Sequence, residues 1–362
     1  GPRRGPARSR QRVTHRVWGK DFPPLLTFGP TASVAIAVAA AHALGMSETW
    51  WAAISAFIVM QESFRASALR GLHRIVGSAA GAAFGYGLGS AIADQALIFV
   101  PAMGLLSWAG LYAALTSRYG YAWVLALVTF TMVMCQAVSP SPDLAAYATE
   151  RMANVALGTG ACVLVAGLFE LGLRLTTDDR PQAASNTPEP APGGPADRRQ
   201  AILHALPGGI SVTMLAAAVG AFDLGALTQG MVTTVMVMVV PLDRRSGEPT
   251  VLVTSRMLQR VVGCLLAGAV AFALLPLMQH QPGLCQFTLC AGVMAATIVE
   301  LRYPRLRYGA IQFTIAFIMV FVQDQGWGVH DEAAFQRLSG ILVGTLVLYA
   351  VFRLVHRIFR PS

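Results

Sequence analysis

The stretch Arg74-Ile-Val-Gly77-Ser-Ala-Ala-Gly81-Ala-Ala-Phe-Gly85-Tyr-Gly-Leu-Gly89-Ser-Ala-Ile-Ala93 decides the fold. One charge stands at its front, and apolar or small residues follow as far as Asp94. A helix rises about 1.5 Å per residue, so a run of this length covers a hydrocarbon core of about 30 Å. Glycines four residues apart let such a helix approach its neighbours closely in lipid.

Working outward, similar runs fall near 25–45, 49–62, 96–116, 121–138 and 151–173 in the first half. In the second they fall near 203–222, 225–241, 257–278, 283–300, 308–323 and 336–358. With 74–93 this makes twelve. The run 49–62 is short for a bilayer and reads as a half-helix. Composition agrees. Hydrophobic residues make up 55% of the 362 residues and charged residues 12%, against about 25% charged in soluble domains. A soluble chain so poor in charge could not cover its core, whereas lipid accepts an apolar outer face.

The formal charge of +9 could suggest nucleic acid. Its distribution excludes that partner. With the N-terminal tail placed inside and the spans alternating, the 27 Lys and Arg all fall on the inner side, Arg151 and Arg337 excepted. That bias is the positive-inside signature, and one span missed or added would reverse it partway. Both termini are therefore expected in the cytoplasm. Residues 1–20 form a basic cytoplasmic tail. Residues 176–196 are dominated by Pro, Gly, Ala and small polar residues and read as a disordered cytoplasmic linker.

The linker separates two related halves, 21–175 and 197–362. Arg74-Ile-Val-Gly77 matches Arg260-Val-Val-Gly263, and Arg151-Met-Ala-Asn154 matches Arg337-Leu-Ser-Gly340, each 186 residues later. Gln136 and Gln323 end the fifth and eleventh spans at nearly the same separation. Six spans per half give both halves the same orientation. The expected fold class is an all-α integral membrane protein of about twelve transmembrane helices. It forms two parallel six-helix repeats with pseudo-twofold symmetry along the membrane normal, a class that holds substrate between its repeats.

Chemistry-bearing residues are few. The five cysteines lack metal-site spacing, no disulfide framework is expected, and no metal or cofactor is implied. Walker A, dinucleotide-binding, zinc-protease and nucleophile-elbow patterns are missing from the sequence, so an enzyme is not expected. The candidates are the arginines. Arg74 and Arg260 stand at the inner starts of their runs, where snorkelling to headgroups is the plain alternative to anion binding. Arg151 and Arg337 stand outside against the charge bias. A local ion pair and a positive ring at an anion pathway are the two readings. Trp51, Tyr121 and Trp123 offer rings for stacking, or belong to an interfacial aromatic belt. Gln136 and Gln323 are further polar candidates for substrate binding. Glu62, Glu170, Glu300, Asp223 and His42 could carry coupled protons, with boundary ion pairing the plainer role of Glu170 and Glu300.

Leu69-Arg-Gly-Leu-His-Arg74-Ile-Val-Gly77-Ser-Ala-Ala-Gly81 resembles the Arg-Gly-x-x-Arg-apolar-apolar-Gly-Thr-x-x-Gly signature of the fusaric acid resistance and aromatic acid exporter family. Tyr121-Ala-Trp123 and Glu150-Arg151, with the glycine-bearing span after it, extend the likeness over about 25–175. The second half is similar through Arg256 to Gly263, Tyr308-Gly309 and Arg337 to Gly344. The family's large cytoplasmic domain is replaced here by the short linker. Asn154 occupies a glycine position, which predicts looser packing of the sixth span than of the twelfth.

The resemblance implies secondary efflux of aromatic carboxylic acids or similar small organic anions across a bacterial inner membrane, driven by the proton gradient. The alternatives it leaves open are a passive organic-anion channel, like the distantly similar plant aluminium-activated malate channels, and a structural or assembly protein without a substrate. The implied partners are small organic anions, chiefly aromatic carboxylates, and the lipid bilayer. A homodimer and a periplasmic adaptor protein are also compatible with it.

Overall fold

The computed structural model describes residues 24–139, 143–176, 195–222, 226–240, 249–278, 281–322 and 331–358. The N-terminal tail, most of the linker, Asp223 and Gln323 lie outside these residues. The described residues are helical almost throughout. The helices are α1 (Pro24–Ala43), α2 (Trp50–Val59), α3 (Phe64–Ile92), α4 (Ala96–Thr116), α5 (Gly120–Ala137) and α6 (Leu144–Thr176). After the linker come α7 (Pro195–Phe222), α8 (Leu227–Met238), α9 (Pro249–Leu274), α10 (Pro282–Arg302), α11 (Arg307–Phe321) and α12 (Asp331–Ile358).

Nine of these helices are long and apolar enough to cross a membrane. The chain is a multi-pass membrane protein. The other three, α2, α8 and α11, have 10, 12 and 15 residues. At about 1.5 Å per residue, α2 covers only about half of a bilayer core, which agrees with its reading as a half-helix. Apart from Ile58 every residue of α2 is buried, so its free backbone ends are enclosed by protein, as a helix ending at membrane depth requires.

Four helices start well before the apolar runs that announced them. Ser63 caps α3, its Oγ accepting from the Ala66 amide at 3.2 Å. Asp143 caps α6 through the Ala146 amide at 2.9 Å. Pro249 and Pro195 open α9 and α7, where the missing N–H costs nothing. The polar first turns are helical because they are capped. The consequence is large. Arg74 and Arg260 do not sit at helix starts but about three turns inside, and Arg151 about two turns inside. Snorkelling is thereby excluded for Arg74 and Arg260, which are 3% and 6% exposed.

Packing in one half has its counterpart in the other. Helix α3 lies on α5 as α9 lies on α11, α2 on α6 as α8 on α12, and α1 on α2 and α6 as α7 on α8 and α12. Across the middle, α4 meets α7 and α1 meets α10, while α5 meets α8 and α2 meets α11. The closest approaches rest on glycine. A Cβ on Gly77 would lie 2.3 Å from the Ala122 carbonyl oxygen, and one on Gly263 would lie 2.6 Å from that of Gly309. Gly158 against Ala52 and Gly344 against Gly230 repeat this between α6 and α2 and between α12 and α8. Asn154, expected to loosen α6, ties it to its surroundings instead. Its buried amide donates to the Ser47 carbonyl at 2.8 Å and the Glu150 carbonyl at 3.1 Å, tying the α1–α2 loop to α6.

Gly77→Val should force α3 and α5 apart and lower stability by about 1–3 kcal/mol. Gly87→Val, where a Cβ meets nothing within 4 Å, should melt like the unaltered protein. Thermal melting of both variants in one detergent checks the pair, and equal melting temperatures would refute the close-packing account.

Candidate functional site

Helix α2 presents Trp51 and Ser55 one turn apart, hence on one face. The Ser55 hydroxyl donates to the Trp51 carbonyl at 2.6 Å and accepts from Arg74 Nε at 3.0 Å. From α3, the second arm of Arg74 donates through NH1 to the Tyr121 hydroxyl on α5 at 3.3 Å. The Tyr121 ring in turn lies under the Arg70 guanidinium, 4.3 Å from its centroid. At the other end, Arg151 reaches from α6 over the Trp51 ring at 3.6 Å. The result is an unbroken ladder: Arg70, Tyr121, Arg74, Ser55, Trp51, Arg151.

Three guanidiniums are thus held by rings and hydroxyls. None makes an ion pair among the described residues, where the ion pairs are Glu170–Arg174 and Glu300–Arg307. Arg151 is the extreme case. It is 2% exposed, and its Nε and NH1 are buried without an acceptor. Arg70 Nε and Trp51 Nε1 are likewise buried donors without an acceptor. A desolvated guanidinium over indole gains about 2 kcal/mol from the ring, while the burial penalty of an unpaired charge is several kcal/mol. The ring alone leaves the balance unfavourable. Tyr147, Glu48 and Arg74 lie within electrostatic range of Arg151. Glu48, two residues before α2, has φ at 49°, a left-handed conformation that non-glycine residues seldom adopt.

The second half holds a matching set of contacts with different ends. Arg260 Nε donates to the Thr233 hydroxyl at 3.1 Å, and its NH1 donates to the Gln312 side-chain oxygen. Thr233 donates to the Gln229 carbonyl at 2.6 Å, as Ser55 does to that of Trp51. Arg256 lies over the Tyr308 ring at 5.1 Å, as Arg70 lies over Tyr121. Unlike Arg70, it also donates to the Val239 carbonyl.

Of the residues expected from the sequence, Arg74, Arg151, Trp51 and Tyr121 come together. Arg260 stands in the matching cluster. The Glu150 carboxylate takes the Ser47 hydroxyl rather than Arg151, so the neighbouring ion pair considered for Arg151 is not made. Trp123 is exposed on α5, and Gln136 lies half-buried near the end of that helix. Arg337 falls in α12, in a stretch whose side chains are not described. Glu62 is exposed between α2 and α3, and His42 ends α1 half-buried. Glu170 holds Arg174 at 2.5 Å and Glu300 holds Arg307 at 3.1 Å, both as boundary pairs. Sequence reading missed Ser55, Thr233, Arg70 and Gln312. Arg70 could have been found, since it lies one turn before Arg74 on the same helix face.

Residues 36–165 match the family described as fusaric acid resistance protein-like. No curated protein and no solved structure matches the chain. The matched segment includes every residue of the ladder, from Trp51 to Arg151. Over that segment, which holds Arg70, Arg74 and Arg151, the chain is similar to the fusaric acid resistance protein-like family.

Proposed function

We propose that this protein is a secondary exporter of small organic anions, aromatic carboxylates foremost, working across a bacterial cytoplasmic membrane with the proton gradient as its drive. Two parallel six-helix halves form the frame, and both termini face the cytoplasm. One observation carries the reading: the Arg151 guanidinium, buried over Trp51, with two nitrogens that have no acceptor. A carboxylate supplies the missing acceptors and the missing charge together, and charge-assisted bonds of this kind are about twice as strong as neutral ones. Arg74, within electrostatic range of Arg151, offers the next step along the ladder. The matched packing of the halves supports a twofold frame, and the family match over 36–165 supports a transport role.

Export of a benzoate-type acid from proteoliposomes tests this. Arg151→Gln and Arg74→Gln should each lower the initial rate by tenfold or more while leaving the protein monodisperse. Unchanged rates for every acid tried would end the proposal. Uphill movement should vanish when the pH gradient is collapsed. Large fluxes indifferent to that gradient would mark a passive channel instead.

Topology is open to its own measurement. Alkaline phosphatase fused within residues 176–196 should be inactive in cells, whereas the same reporter fused in the loop before α6 should be active. The opposite pattern would overturn the orientation.

A further inference from the structure

We infer that the two matched clusters are chemically unequal: the anion is bound in the first half, at Arg151, Trp51 and Arg70, and Arg260 of the second half is a strut. The inference rests on the anion-transport reading and assigns its binding step to one half. Every buried side-chain nitrogen without an acceptor among the described residues belongs to the first half: Trp51 Nε1, Arg70 Nε, and Nε and NH1 of Arg151. The frame is common to both halves, so the difference lies in a few substitutions within it.

Arg70 and Arg256 occupy matching places over Tyr121 and Tyr308, yet Arg256 donates to the Val239 carbonyl and Arg70 Nε has no acceptor. Val239 follows the last residue of α8, so Arg256 closes the carbonyl end of that short helix. His204 of α7 bonds the adjacent Met238 carbonyl at 2.9 Å, so that end is held twice. In the first half the Met60 carbonyl at the end of α2 takes only the neighbouring Gln61 amide. Arg260 has Gln312 as an acceptor on α11. The matching residue on α5 is Leu125, four residues after Tyr121 as Gln312 is after Tyr308, and Arg74 NH1 goes to the Tyr121 hydroxyl instead. Gln229 stands where the first half has Trp51. The half-helix α8 therefore has no indole there for a guanidinium to cover.

These differences act in one direction. In the second half, a carbonyl oxygen and an amide oxygen of the protein itself meet Arg256 and Arg260. In the first, aromatic faces hold Arg70 and Arg151 and leave N–H groups of both for an outside acceptor. The ligand class that fits is a compact anion with several acceptor oxygens, a carboxylate in the first instance.

Thermal stabilisation of the purified, detergent-solubilised protein by benzoate tests the assignment, with benzamide as the uncharged control of equal shape. Benzoate should raise the melting temperature of the unaltered protein, and benzamide should not. Arg151→Gln should weaken the apparent benzoate affinity at least tenfold, with Arg151→Lys retaining part of it. Arg260→Gln should lower the melting temperature without benzoate while the affinity stays within twofold. Thr233→Val, which removes only one acceptor of Arg260, guards against a variant that fails to fold and should behave the same way in milder form. An affinity loss in Thr233→Val or Arg260→Gln equal to that in Arg151→Gln overturns the inequality and leaves the export reading standing. Failure of benzoate to stabilise the unaltered protein overturns the anion site itself, and the export reading with it.

Discussion

A guanidinium cannot shed its charge, and burying one inside a membrane helix bundle dictates much of what surrounds it. Among the described residues, Arg74, Arg151 and Arg260 are buried in this way. Each sits deep in a long helix, so no snorkelling route to the headgroups exists. The protein answers with short-range devices, namely a hydroxyl on a buried half-helix, a tyrosine on the neighbouring span and an indole face. These devices require α2, α3, α5 and α6 to be close. The glycines at 77, 81 and 158 make that closeness sterically available. The small-residue spacing and the arginines are therefore two parts of one requirement, which is why they travel together in the sequence.

Much of this was legible beforehand. Twelve runs became twelve helices, and the Arg-x-x-Gly pairs marked spans that pack alike in the two halves. What was misplaced was depth. Hydropathy reads Phe64 to His73 as polar, yet Ser63 caps a helix there and the span simply starts earlier. An arginine read at a helix start is free to reach lipid headgroups. The same arginine about three turns further in must find partners inside the protein. The error in a boundary thus became an error in chemistry for Arg74 and Arg260. Ser55 and Gln312 were missed for a different reason. Nothing in a sequence distinguishes one serine or glutamine in an apolar run from another until the helix opposite is known.

The carboxylates show the complementary lesson. Glu170 and Glu300 drew notice because acids near spans are costly, and each turned out to be tied to an arginine at a helix end. Glu48 drew none, because it lay in a loop. Yet it is the acid within electrostatic range of the buried Arg151, and its backbone is held in a left-handed turn two residues before α2. The loop that holds it is itself tied to α6 through Ser47, Glu150 and Asn154. The Asn154 departure from the glycine pattern thus has a structural return: it fixes the loop from which Glu48 addresses Arg151.

The unequal halves follow from the same energetics. A buried donor without an acceptor costs roughly 1–3 kcal/mol, and more for a charged group. Two matched clusters that both left such donors open would carry that cost twice against a native stability of only about 5–15 kcal/mol. Closing Arg256 and Arg260 with Val239 and Gln312 relieves their cluster of that burden while preserving the helix geometry that both need. The remaining open set is concentrated on one side of α2, where Trp51 and Ser55 keep Arg151 and Arg74 in place without consuming all of their hydrogen-bonding capacity. An aromatic face suits that task better than a carboxylate would. It offsets part of the charge penalty, yet it leaves the N–H edge of the guanidinium open and brings no negative charge to compete with an incoming anion.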